Sequence, residues 1–164
     1  MNKKLLYGLA IIGLAILLIQ NINKANQVVG SNNEPINEVT IRGKKAKTDE
    51  AKKALTLIEK NLEAANNEDM NTYLETVVSS AAKDTTKELQ PFFDEYDVEN
   101  TLISFEVKKA SDTEMTIETQ QRTINKGKKK YRNHIATVLH TLTKEDGEWK
   151  IKQSNMTNSE FITE

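Results

Sequence analysis

The stretch LHTLTKEDGEWKIKQSNM, residues 139–156, decides the fold. An alternating apolar run meets an acidic turn, and a second alternating run opens on the only Trp of the chain. Period-two alternation belongs to strands. Lys144-Glu145-Asp146-Gly147 then reads as a hairpin loop, with Gly147 supplying the positive φ that tight hairpin turns need. Trp149, Ile151 and Gln153 are expected to face one way on the last strand.

Upstream, YRNHIATVLHTLT (131–143) reads as the longest strand, apolar on both faces and so central. INKGKKK turns the chain at Gly127. In EMTIETQQRTI (114–124), Met115, Ile117 and Thr119 share a face. In TLISFEVKK (101–109), Ile103, Phe105 and Val107 alternate with polar residues. Four strands in sequential hairpins make an antiparallel meander.

Before Thr101 the period is 3.6. Thr48 or Asp49 caps a helix whose Ala51, Leu55, Ile58, Leu62 and Ala65 lie on one face. Asn66-Asn67 ends it, and a second helix starts at Asp69, burying Met70, Tyr73, Leu74, Val77 and Val78. A third, KDTTKELQPFFDEY (83–96), takes Asp84 as cap, with Pro91 expected to kink or restart it. Three amphipathic helices on one face of a meander define an α+β domain over 48–164.

What precedes the domain differs in kind. MNKK leads into LLYGLAIIGLAILLI (5–19), fifteen residues without a charge. A positive start before such a run is an export signal. No A-x-A cleavage site follows, so an uncleaved anchor over 1–22 is favoured over a signal clipped near Gly30. The Lys3-Lys4 pair outweighs Lys24, which keeps the N-terminus inside and places the domain outside the cell membrane. Residues 23–47, rich in Asn, Gln, Gly, Ser and Pro, read as a flexible linker, with EVTIRG a strand that could dock on the domain.

The chain has no Cys, which excludes disulfides and thiolate chemistry. Its net charge of −1 argues against nucleic-acid binding. Residues 1–47 carry seven Lys/Arg against two acids, and residues 48–164 sixteen against twenty-two, so a basic lead precedes an acidic domain.

Three helices with an acid at the second helix start (NNEDMNTYL), then long hairpins closing on Gly147, Trp149, Lys150 and Ile151, resemble the nuclear-transport-factor-2-like superfamily of SnoaL-like and cystatin-like domains. The resemblance covers about residues 48–162. It implies a strongly curved, cone-shaped sheet with a pocket at its open end. Its members include isomerases, cyclases, dehydratases and non-catalytic assembly modules, so fold leaves function open. A membrane-anchored copy outside the cytoplasm looks like an accessory subunit of a bacterial secretion-type machine. The wealth of Lys, Asn, Ile and Glu suits a low-GC Gram-positive source.

The residues offer little chemistry. Tyr131, Asn133 and Ile135 share one side of their strand, while His134 and His140 share the other, about 20 Å apart, too far to hold one metal. Each reads as a surface or half-buried sheet histidine. No pair of carboxylates is driven into one place, and no nucleophile elbow, zincin motif, P-loop or dinucleotide fingerprint occurs. No cofactor and no catalytic residue is assigned. Tyr73, Gln121, Asn133 and Gln153, walled by Phe105 and Trp149, form the candidate pocket for a small polar ligand; equally, they are the wetter ends of strands beyond a packed core. The candidate surface contact is the KGKKKYR turn: Lys126, Lys128, Lys129, Lys130 and Arg132. The expected partners are the membrane, other envelope proteins, or a second copy.

Overall fold

The computed structural model describes residues 39–43 and 45–163. The expected anchor and most of the linker lie outside the described residues. No described helix is long and apolar enough to cross a membrane.

The chain enters through a short strand, β1 (Ile41–Gly43), followed by helices α1 (Asp49–Asn66) and α2 (Met70–Thr76). A 3₁₀ turn (Ser79–Ala81) leads into α3 (Ala82–Glu95). Four long strands complete the order: β2 (Val98–Ala110), β3 (Glu114–Asn125), β4 (His134–Glu145) and β5 (Glu148–Phe161). They form one sheet ordered β1-β2-β3-β4-β5, every pairing antiparallel except β1 with β2. The class is α+β, but the expected four-stranded meander gains a fifth strand. EVTIRG supplies it, with Ile41 opposite Phe105 and Gly43 opposite Val107.

Local chemistry sets the element ends. The Thr48 hydroxyl accepts the Ala51 N–H at 3.2 Å and starts α1. Asp69 caps α2, accepting from the Thr72 N–H and hydroxyl at 3.1 and 2.6 Å. The break between them is an interlock: Asn66 accepts from the Asn100 N–H at 2.7 Å and donates to the Asn100 carbonyl at 2.9 Å, pinning the end of α1 to β2. In the β4–β5 loop both Asp146 (φ 53°) and Gly147 (φ 84°) are left-handed, the two-residue turn whose twist matches the strands.

Several expectations need correction. Helix α3 starts at Ala82 behind the 3₁₀ turn, so Asp84 sits in its first turn and is not its cap. Pro91 lies inside an unbroken α3, because Leu89, Phe92 and Phe93 on the buried face hold the helix together across the missing N–H. The longest strand is β5, with 14 residues, and β4 has 12, starting at His134 rather than Tyr131. A bulge between Leu102 and Ser104 turns Ile103 outward, 42% exposed, and puts Leu102 in the core. A second bulge on β5, between the Thr141–Gln153 and Leu142–Ile151 pairs, turns Gln153 off the Trp149–Ile151 face and puts Ser154 there. Finally, His134 and His140 point inward and are buried, at 2% and 1% exposure.

Helices cover one face of the sheet. Helix α3 is fastened at both ends to the β4–β5 side: the Glu145 carboxylate takes the Ser79 N–H and hydroxyl at 2.9 and 2.8 Å, and Phe92 and Tyr96 pack on Tyr131 just before β4. The Ile151 carbonyl takes the Val78 N–H at 3.1 Å, adding to the same attachment.

Candidate functional site

The inner face of the sheet can be read row by row from the register. Val107, Ile117, His140 and Ser154 form one row; Phe105, Thr119, Val138 and Met156 the next; then Leu102, Gln121, Ala136 and Ser159; then Asn100, Thr123, His134 and Phe161. None of these residues is an acid, a lysine or an arginine.

At the centre lies a polar network. The Gln121 Nε2 donates to Thr119 Oγ1 at 2.9 Å and toward His140 Nε2 at 3.1 Å. An amide nitrogen only donates, so His140 Nε2 accepts and the ring proton sits on Nδ1. That Nδ1–H donates to Ser154 Oγ at 2.7 Å. Burial without a charged partner pushes the His140 pKa down to about 3, so the ring is neutral at pH 7. His134 gives its Nδ1–H to the Arg132 carbonyl at 3.0 Å, and burial again lowers its pKa. Two hydroxyls, Thr85 Oγ1 of α3 and Ser159 Oγ of β5, are buried without a hydrogen-bond partner.

Of the six candidate pocket residues, Phe105 and Gln121 line this interior, and the Gln121 amide nitrogen is already engaged. Tyr73 is buried edge-on against Phe93, with ring centroids 6.4 Å apart. Asn133 sits before β4 and accepts the Asn125 N–H at 2.8 Å, which makes it part of the loop's scaffold. Gln153 bonds Asn155 at 3.2 Å on the opposite face. Trp149 closes the far end of the core: its Nε1–H donates to Glu50 at 2.7 Å, and Lys144 and Lys53 pair with the same carboxylate at 2.8 and 2.9 Å. Those three donors hold Glu50 at about 2. The six therefore do not converge on one place. The polar groups that do converge, His140, Ser154 and Thr119, are separated in sequence, and only the strand register brings them together.

The basic turn is a built structure. Asp97 O accepts the Lys126 and Gly127 N–H groups at 2.9 and 3.0 Å; Asn125 accepts from Gly127 N–H at 3.0 Å and donates to the Lys129 carbonyl at 2.9 Å. A Cβ on Gly127 would approach Asp97 to 3.2 Å. Lys126 pairs with Glu99 at 2.6 Å, and Lys129 pairs with Glu95 beneath the Tyr96 ring. Tyr131 turns inward among Phe92, Tyr96 and His134, and burial pushes its pKa up to about 12. Lys128, Lys130 and Arg132 remain exposed, with no acid within ion-pair distance among the described residues, and Arg132 lies over the Phe161 ring at 3.3 Å. No group of three His, Asp or Glu able to hold a metal occurs among the described residues.

This architecture is that of the nuclear-transport-factor-2-like and cystatin-like α+β domains. A Nostoc punctiforme protein of unknown function with a cystatin-like fold superposes with a TM-score of 0.57 at 15% identity, over 68% of this chain and 90% of that one. A nuclear-transport-factor-2-like protein of unknown function from Pseudomonas putida gives 0.56 at 11% identity, over 64% and 83%. A candidate scytalone dehydratase from Novosphingobium aromaticivorans gives 0.55 at 14% identity, over 67% and 85%. At such identities the likeness is one of fold alone. No curated protein matches the sequence. The chain belongs to the family described as the C-terminal domain of the anti-sigma-I factor RsgI9, whose model matches residues 56–162.

Proposed function

We propose that the protein is a membrane-anchored, non-catalytic contact module outside the cytoplasm, working through other envelope proteins. The observation that carries this reading is the middle of the inner sheet face: its four rows from Val107 to Asn100 hold no carboxylate, lysine or arginine, the inward Lys144 at the far end is paired with Glu50, and the two histidines are neutral and committed to internal hydrogen bonds. An isomerase-like or cyclase-like reaction needs an ionisable group poised near the working pH. Family membership supports the same reading, since the matched domain is the C-terminal part of an anti-sigma factor. The apolar run at 5–19 supplies the anchor. On the outer sheet face the exposed Ile103 and the half-buried Ile135 and Leu139 supply a contact surface for a second copy or a partner.

The test is affinity purification of the full chain from detergent-solubilised membranes after brief crosslinking, with the mature mass recorded. A stoichiometric membrane partner and an intact N-terminus are expected. A chain recovered alone and clipped near Gly30 overturns the reading.

A second reading rests on Thr85 and Ser159. Buried hydroxyls without partners are uncommon, and a small ligand or ordered water at them would satisfy them. The row that holds Ser159, with Leu102, Gln121 and Ala136, carries no charge, so a ligand there would be uncharged. Titration with neutral polyols, followed by amide NMR shifts at Ser159 and Gln121, separates this reading from the first.

A further inference from the structure

The direction in which the chain enters the sheet and the position of the basic loop point to the same end of the domain. Strand β1 runs parallel to β2, with Ile41 opposite Phe105 and Gly43 opposite Val107. The chain before Ile41 therefore comes in from the Val98 end of β2. Val98 pairs with Asn125, where the β3–β4 loop begins. At the other end, about 40 Å away along the 12 residues of β4, stands the β4–β5 hairpin with Glu145, Asp146 and Glu148.

From this we infer that the β3–β4 loop, through Lys128, Lys130 and Arg132, docks the domain onto the anionic lipid headgroups of the membrane that anchors it. The inference rests on the anchored reading above. Tyr131 packs inward on Phe92 and Tyr96, while Lys130 and Arg132 on either side of it are exposed. The backbone bonds to Asp97 and Asn125 hold the loop in place, and Phe161 supports the Arg132 guanidinium. Of the described acids at this end, Glu95 and Glu99 are paired with Lys129 and Lys126, Asp94 accepts from Gln90 at 2.8 Å and Glu160 from Asn158 at 3.3 Å, which leaves the exposed Asp97 carboxylate against the three cations Lys128, Lys130 and Arg132. The hairpin at the far end sets Glu145, Asp146 and Glu148 against Lys144 and Lys150 and so offers no excess of cations, which leaves the β3–β4 loop as the end that faces a negative surface.

The full chain has no native Cys, so single-site labels are unambiguous. It is reconstituted into phosphatidylcholine vesicles with or without 30% phosphatidylglycerol (a typical test fraction, about a third of the lipid). Lys128→Cys, at the loop, and Asp112→Cys, at the far end, carry a fluorophore quenched by nitroxide headgroups. Quenching at position 128 is expected only with the anionic lipid, lost at high salt and lost with K130Q/R132Q, while position 112 stays unquenched. Equal quenching at 128 in both lipids, or quenching that survives K130Q/R132Q, overturns the docking. If alkaline carbonate strips the chain from both vesicles, the anchor reading falls instead. Docking is then read from co-sedimentation with the anionic vesicles, where K128Q/K130Q/R132Q should weaken binding on the order of a hundredfold at low salt, about fivefold per cation. Unchanged co-sedimentation overturns it.

Discussion

His140 shows what one buried residue asks of its neighbours. The ring is neutral, its Nδ1–H reaches Ser154 at 2.7 Å, and its Nε2 accepts from the β3 side. Ser154→Ala leaves that N–H unsatisfied in the core, which costs about 1–3 kcal/mol. Gln153→Ala removes only an exposed amide and changes stability by about 0.5 kcal/mol or less. Urea denaturation of both variants at pH 7.5 measures the contrast, and equal effects would mean that the β5 register is other than described. Neither residue's place was legible beforehand. Alternation from Trp149 runs to Gln153 until the bulge in β5 shifts the phase by one. The sequence also shows two polar rings on a strand with apolar residues on both faces, so nothing local says which face is buried. What lets His140 be buried is hydrogen bonding to hydroxyls of the neighbouring strands, which becomes visible only when the strands pair, whereas His134 bonds the local Arg132 carbonyl.

Elements were more legible than faces. The change of period near residue 98 separates helices from strands, and the Asp-Gly turn, the Thr48 cap and the Asp69 cap all stand where side-chain chemistry puts them. Pro91 misleads because the local rule is a cost of about 3 kcal/mol, whereas burial of Leu89, Phe92 and Phe93 yields about 1.5–3 kcal/mol for each side chain. Strand β1 is legible only as a tendency, since three residues cannot hold a strand without an edge to pair with. Its weak point is Gly43, at φ 104°, where a Cβ would come within 2.1 Å of the Val107 carbonyl oxygen. Gly43→Val should release β1 while the helices and the four long strands stay folded. Hydrogen exchange should then show faster exchange of the β1 and Phe105–Val107 edge amides, with the α1 amides unchanged. Retained protection at that edge would show that β1 is held by more than this pairing.

For the molecule as a whole, the buried histidines and the Glu50 clamp make stability fall with acid in two stages. His140 binds a proton near its ordinary 6.5 when unfolded and near 3 when folded. Between those values the unfolded chain holds more protons, so its contribution is complete above pH 6.5 and is lost as pH falls toward 3. The full difference is on the order of 4–5 kcal/mol, of which about 2–3 kcal/mol is lost by pH 4.5. His134, lowered for the same reason of burial, acts in the same direction. Glu50 enters later: its folded value of about 2 lies below its ordinary 4.5, so its contribution is present above 4.5 and disappears as pH falls through 2. Unfolding free energies from urea melts at pH 7.5, 6.0, 4.5 and 3.5 should therefore decline from the first step below 6.5, before any carboxylate titrates. His140→Gln should flatten the upper stage and leave the lower one, while Glu50→Gln should soften the lower stage and leave the upper. A wild-type profile flat from 7.5 to 4.5 would mean that the His140 ring is charged or reached by water in the folded protein. The chargeless interior, on which the non-catalytic reading stands, would then be the first statement to give up.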